Sequence, residues 1–338
     1  MKFFNISCHI SVIEDIKTIF NNLGHTITSI NLSDHNWVFG RQKDNIPILA
    51  NWQNNLSSIR DEFYNTYKEI INQHDAIIVD YPPTFAWLFE QSDKPIIIVM
   101  PIRYEYPFSN KPELWKQFNS YIQNIVDNGR ATLVANSLYD KYYANGFINR
   151  PVEYISSLCE YTGINHKPTL DKFLVCGPSN LIRGNDIIWK GNLGRHQWST
   201  LERFKAIVHI PHNISLMSLF EQYYAGIPLL VPSKKLIQDL DCLTQVSWNR
   251  TIGLPNGSAI PFNDVHDPNN YTKNSLDHWL EFADFYHSDA LKHILKFDKI
   301  EDIRTNINNF DLNLVKEHNK QRRDKVYSQW EKIIKKIK

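Results

Sequence analysis

The sequence predicts an α/β protein made of two doubly wound domains, and three observations predict it. Short apolar runs alternate with helical spacing along most of the chain, the pattern of parallel sheets flanked by helices. The runs "HDAIIVDYPP", "KPIIIVMP" and "ATLVANS" are almost continuously apolar, as strands covered on both faces must be. The alternation also begins afresh, with "FLVCGP", after the polar passage "TGINHKPTLDK". At 338 residues, of which 42% are hydrophobic and 13% aromatic, the chain can fill two cores of ordinary domain size. The expected division is residues 1–160, residues 161–311, and a charged helix over 312–338 that could cross back to the first domain.

Taken in order, Phe3 to Ile10 reads as a strand, Ile13 to Leu23 as a helix closed by Gly24, and Thr26 to Leu32 as a returning strand. The three near-continuous apolar runs follow, with an amphipathic stretch from Glu113 to Val126 between the last two. In the second half, Ala206 to Ile210 is a β-branched run closed by Pro211. Ser215 is the expected N-cap of the next helix and Gly226 its C′ residue, with Pro228 barring any continuation. Leu216, Leu219, Phe220 and Tyr223 recur at helical spacing and form the stripe that packs on a sheet, while Glu221 lies off that stripe. Ile227 to Val231 is the following strand. "DHWLEFADFY" reads as an aromatic-rich helix, and a charged helix begins near Leu312.

Composition narrows the function classes. The 37 basic and 36 acidic residues leave a net charge of +1, which points away from nucleic acid or an anionic membrane as a partner. No segment reaches the roughly 18 uninterrupted apolar residues of a membrane helix, and "MKFFNISCHISVIEDIK" meets charge too early for a signal peptide. The expectation is a soluble cytoplasmic protein. Cys8, Cys159, Cys176 and Cys242 show neither metal-ligand nor disulfide-scaffold spacing. No Asp-x-Asp dyad suited to a metal-held donor is present, no GxGxxG follows the first strand, and no serine elbow appears, so neither a metal nor a nicotinamide cofactor is expected.

In doubly wound sheets ligands bind beyond the carboxyl ends of the strands. The residues placed there are His9 in "SCHIS", Asp80 in "VDYPPT", Arg103 and Glu105 in "MPIRYEYPF", and His212, Asn213 and Ser215 in the loop before the Glu221 helix.

The segment "FEQYYAGIPLLVPS" resembles the nucleotide-sugar-binding element of GT-B glycosyltransferases, through Glu221, Ala225, Gly226 and Pro228. The resemblance implies two Rossmann-like domains facing across a cleft. It also implies transfer of a sugar from a nucleoside diphosphate donor to a hydroxyl acceptor, a glycan or glycoconjugate, with Glu221 receiving the ribose hydroxyls. By the same resemblance, the stretch "CGPSNLIRGNDIIWKGNLGR", with Gly177, Arg183 and Lys190, supplies cations and amides to the diphosphate without a metal, while Arg195 in it reads equally as a surface charge. His212 and Ser215 are further donor contacts. Asn213 stands where retaining members carry a second Glu, which leaves the stereochemistry open. In the first domain His9 and Asp80 are candidate bases toward the acceptor, with a buried hydrogen-bonded histidine and a helix cap as their respective alternatives, and Arg103 is a candidate for a phosphate or an acidic acceptor, or for a pair with Glu105. A nucleotide-sugar 2-epimerase and a non-enzymatic two-domain binding protein share this shape and stay open as alternatives.

Overall fold

The computed structural model describes residues 1–177, 182–211, 213–239 and 280–337. They form two compact units, Met1–Ser156 with Val326–Lys338, and the remainder from Ser157 to Lys325.

The first unit opens with strand β1 (Lys2–Ser7), helix α1 (Ile10–Asn22) and strand β2 (Thr26–Asn31), which pairs with β1 in parallel from Lys2↔Thr26 to Ser7↔Asn31. Helix α2 (Trp52–Asn72) then leads to strand β3 (Ala76–Val79), on the other side of β1. Strands β4 (Ile96–Met100), β5 (Ala131–Ala135) and β6 (Glu153–Tyr154) continue outward, with helices α3 (Pro112–Asp127) and α4 (Leu138–Ile148) between them. The order β2-β1-β3-β4-β5-β6 is parallel throughout. The chain therefore winds one way from β1 to β2 and the other way from β3 onward, which with right-handed crossovers places helices on both faces. Burial agrees: every residue of β3 and β4 is buried, and each apolar run was for that reason visible in the sequence.

Helix α1 begins three residues earlier than the periodicity suggests. Beyond Ser7 the strand direction is abandoned, because Cys8 N–H donates to Tyr81 O at 2.6 Å and His9 N–H to Ser7 Oγ at 3.0 Å. Ile10 thus belongs to the buried face of the helix rather than to the strand.

The second unit repeats the winding. Strands β7 (Leu170–Cys176), β8 (Ile187–Trp189), β9 (Phe204–His209), β10 (Leu229–Pro232) and β11 (Leu295–Phe297) lie in the parallel order β11-β10-β9-β7-β8. Strand β8 lies inside the Gly-rich stretch that reads as a continuous polar loop. Three residues of intermediate burial carry too little pattern to be seen. Helices α5 (Trp198–Leu201), α6 (Met217–Tyr224) and α7 (Lys234–Asp239) accompany the sheet.

Helix α6 starts at Met217, with Leu216 rather than Ser215 at its N-cap. The preceding residues are held as a loop by Asn213 Oδ1, which accepts from Ile214 N–H at 2.7 Å, and by Ile214 O, which accepts from Asp284 N–H at 3.4 Å. Of "DHWLEFADFY", residues 277–279 lie outside the described residues. Leu280 is helical, and the residues after it form turns with i→i+3 bonds, such as Ala283 N–H to Leu280 O.

Helix α8 (Ile303–Asn306) precedes the long helix α9 (Leu312–Lys336). Residues of α9 up to Lys325 belong to the second unit, where Asn319 Nδ2 donates to Tyr223 O at 3.1 Å. From Val326 they belong to the first, where Trp330 packs edge-on to Phe20 and Gln329 donates to Tyr154 O at 2.8 Å.

The end of α6 is a Schellman motif. Gly226 N–H donates to Tyr223 O at 3.0 Å, Ile227 N–H donates to Gln222 O at 3.1 Å, and Gly226 sits at φ +72°. A Cβ at Gly226 would stand 2.7 Å from Leu312 Cδ1. Gly226→Ala is therefore expected to destabilise the protein by about 1–2 kcal/mol, the cost of a left-handed non-glycine residue. An unchanged denaturation midpoint contradicts the assignment.

Candidate functional site

Each sheet has one place where the winding reverses, and in both units a cavity opens there. In the first unit the reversal lies between β1 and β3, whose last register pair is Ile6↔Val79. Just beyond it stand Ser7, Cys8 and His9 on one strand and Asp80 and Tyr81 on the other. A cavity of about 610 Å³ lies against this edge, lined by Cys8, His9 and Tyr81, by Asp34 to Trp52 from the segment after β2, and by Tyr106.

His9 is the N-cap residue of α1, but its side chain makes no capping bond. The imidazole is half-buried, lies 5.3 Å from the Tyr81 ring, and its buried Nδ1 has no hydrogen-bond partner among the described residues. Burial, reinforced by the nearby His35, lowers its pKa to about 4. At neutral pH it is an uncharged proton acceptor. Asp80 is fully buried and does not line the cavity. Its Oδ2 accepts from Asn5 Nδ2 at 2.9 Å and its Oδ1 from Tyr81 N–H at 2.5 Å. Burial raises its pKa to about 7 against hydrogen bonds from Ser7, Asn5 and Tyr81 that favour the anion. The two candidate bases thus share one sheet edge with no hydrogen bond between them among the described residues. Asp80 is placed to order the β1 and β3 ends, and His9 to face the cavity.

Arg103 is not presented to a ligand. Its side chain and that of Glu105 are fully buried, Arg103 Nε donates to Glu105 Oε1 at 2.8 Å, and its guanidinium also donates to Tyr143 Oη while lying over the Tyr143 ring. The pairing that the sequence left as an alternative is the arrangement found, because an unpaired guanidinium at this depth would be prohibitively costly.

In the second unit the reversal lies between β7 and β9, whose ends meet at Cys176↔His209. A cavity of about 390 Å³ is lined there by Gly177, Lys190, Gly191, Gly194, His196, His209 and Ser218 among others. No carboxylate is among the described lining residues, which present backbone amides, imidazoles, a hydroxyl, the Cys176 thiol and the Lys190 ammonium, a set suited to an anion. Gly177 has φ +151°, and a Cβ there would meet Ile210 Cβ at 2.6 Å. Only glycine lets β7 close this tightly on the end of β9. His209 is anchored by its Nε2, 2.5 Å from Gln222 Oε1 of α6.

Gly177 and Lys190 of the sequence-derived donor set therefore meet at one cavity. Arg183 is exposed and does not line it. Asn213 and Ser215 occupy the adjoining loop, and His212 lies outside the described residues. Glu221 is buried at 8% exposure, and its Oε1 accepts from Tyr161 Oη at 2.5 Å, with the Tyr161 ring edge-on to Trp198. His196, His209 and Ser218 were missed by the sequence reading. Ser218 stands one helical turn before Glu221, the spacing that could have found it, and His209 ends a recognisable strand.

No family model and no curated protein matches the chain. Among solved structures it is similar to the glycosyltransferase SnogD from Streptomyces nogalater, at 12% identity over 100% of this chain and 99% of that one, with a TM-score of 0.47. It is also similar to the glycotransferase of kitacinnamycin, at 11% identity over 100% and 99% with a TM-score of 0.43. A third is the calicheamicin glycosyltransferase CalG4, at 12% identity over 97% and 94% with a TM-score of 0.37. Among the described residues no helix is long and apolar enough to cross a membrane.

The Asp80 assignment has a pH signature. Its pKa is raised from an ordinary 3.8 to about 7, so between these values the native state holds a proton that the unfolded chain has released, and stability falls as pH rises through the window. Asp80→Asn removes this dependence. From pH 4 to pH 8 the stability of the variant should rise relative to wild type by on the order of 3 kcal/mol. A gap independent of pH contradicts the assignment.

Proposed function

We propose that the protein is a glycosyltransferase that moves a sugar from a nucleoside diphosphate donor to a hydroxyl acceptor without a catalytic metal. The observation that carries this reading is the cavity at the β7/β9 reversal, with Lys190, the glycine backbone and Ser218 gathered on one edge and no carboxylate among its described lining residues. Departure of the nucleoside diphosphate builds negative charge on its phosphates as the anomeric carbon becomes cationic. A fixed ammonium and amides stabilise that charge in the transition state. Glu221, in the motif that resembles the GT-B donor element, supplies the acceptor for the ribose hydroxyls. Glu221 does not line the cavity itself and is held by the bond from Tyr161.

In the first unit His9 is assigned as the base that takes the proton of the acceptor hydroxyl. An imidazole that is neutral at pH 7 is in the right state for this step. Asp80 is assigned to holding Ser7 and the β1 end rather than to proton transfer.

The reading divides the donor contacts in a testable way. By calorimetry, Lys190→Ala should weaken both a nucleoside diphosphate and free diphosphate by about 1.5–3 kcal/mol, whereas Glu221→Ala should weaken only the nucleoside diphosphate. Magnesium should change neither. No binding of any nucleoside diphosphate at millimolar concentration removes the donor site. With a donor and acceptor in hand, His9→Ala should lower kcat by roughly 10²–10⁴ while leaving nucleotide affinity intact. An unchanged kcat excludes His9 as the base.

A further inference from the structure

The cavity at the β1/β3 reversal carries more information than the position of its base. Its walls are of two kinds. One side is polar: Asp34, Lys43, Asp44 and Asn45 all come from the segment that follows β2. Asp34 is held ionised by Lys43, with Nζ 2.5 Å from Oδ1, and Asp44 Oδ2 accepts from Asn31 N–H at 2.7 Å, which leaves its other oxygen outside that bond. The other side is aromatic. The Trp52 ring is fixed edge-on between Phe85 at 4.9 Å and Tyr106 at 5.9 Å, and Gln53 Nε2 donates to Tyr106 Oη at 3.1 Å.

Three acceptor chemistries can be weighed against these walls. A flat aromatic alcohol would be served by Trp52 and Tyr106, but it would strip water from Asp34, Asp44 and Asn45 without replacing the hydrogen bonds, which is costly for carboxylates. An anionic acceptor, a uronate or a phosphorylated alcohol, would meet two carboxylates and one ammonium, a net negative wall. A neutral saccharide satisfies both sides. Its hydroxyls donate to carboxylates and exchange bonds with amides, while the C–H face of the ring packs on an aromatic face. A volume of about 610 Å³ is ample for more than one sugar ring.

We infer that the ligand of this cavity is a neutral saccharide, held between the carboxylates of Asp34 and Asp44 and the ring of Trp52, with the hydroxyl to be glycosylated directed at His9. The inference rests on reading the cavity as the acceptor site of the proposed transferase. It goes further than that reading by fixing the acceptor as an uncharged sugar rather than an aromatic or anionic alcohol.

The test needs no turnover and no donor. The full-length protein is titrated by calorimetry and ligand-observed NMR with three sets of probes. The first is neutral mono- to trisaccharides ending in glucose, galactose, mannose, xylose or N-acetylglucosamine. The second is the matching uronates, and the third a series of planar phenols. At least one neutral saccharide is expected to bind, at least tenfold tighter than its uronate and tighter than any phenol. Asp34→Asn, at an exposed position, should weaken that saccharide at least threefold. Trp52→Ala should abolish binding and Trp52→Phe should retain most of it. The aromatic variant keeps the test valid should the alanine variant fold poorly.

No binding of any neutral saccharide overturns the inference, as does a phenol or a uronate binding more tightly than all of them. So does saccharide affinity unchanged by Asp34→Asn, unchanged by a folded Trp52→Ala, or abolished by Trp52→Phe. A parallel nucleotide titration separates the two readings. Nucleotide binding without saccharide binding overturns the acceptor class alone, whereas saccharide binding without nucleotide binding overturns the transferase reading and leaves a sugar-binding unit.

Discussion

The rest of the structure depends on β1 and β7 being placed inside their sheets rather than at an edge. Because β2 pairs on one side of β1 and β3 on the other, the crossovers after β1 and after β2 leave in opposite directions, and the carboxyl ends of β1 and β3 cannot both be covered by the loops that follow them. The same holds for β7 between β8 and β9. An uncovered strand end with outward backbone groups is a binding site in waiting. What distinguishes the two sites is the chemistry delivered there: a neutral imidazole with carboxylates and aromatic rings in one unit, and an ammonium with glycines, imidazoles and a hydroxyl in the other.

Buried polar groups give the first of these sites its rigidity. The ion pair of Arg103 and Glu105, with Tyr143, sits just after β4. Alongside it Trp115 Nε1 donates to Tyr104 Oη at 2.7 Å, and Tyr104 Oη to Asn119 Oδ1 at 2.6 Å. Such groups return little net stability for their desolvation, but they admit few arrangements. The segment they fix carries Tyr106, whose carbonyl is bonded by Thr84 Oγ1 at 2.6 Å and whose hydroxyl receives Gln53. The aromatic wall of the cavity is thereby tied to the core. Asp80 likewise ties Tyr81, another lining residue, to β1 through Asn5.

Strands buried on both faces were legible in the sequence because nothing polar interrupts them, as in Ala76–Val79 and Ile96–Met100. So were the glycine that closes α6 and the histidine just beyond β1, since a left-handed cap and the turn after a strand each leave a local mark. Strand β8 was hidden because three half-buried residues in a Gly-rich stretch have no period. The cavity walls were hidden for a different reason. Asp34 and Lys43 lie in irregular chain and Trp52 at the first turn of α2, and only tertiary packing brings them to His9 and Tyr106. Arg103 misled because a cation at a strand end looks the same in sequence whether it faces a ligand or a buried glutamate. Glu221 was singled out by motif, but its contact with Tyr161, sixty residues away, was not legible.

The central claim is that the nucleotide belongs to the β7/β9 reversal and not to the β1/β3 reversal. Hydrogen–deuterium exchange of the full chain, with and without a saturating nucleoside diphosphate, tests this most directly because it reports both edges in one experiment. The account predicts slowed exchange in peptides covering residues 174–177, 188–196 and 207–219, with residues 5–10 and 34–53 unchanged. Protection confined to residues 5–10 and 34–53, or protection nowhere with nucleotide bound, would contradict it.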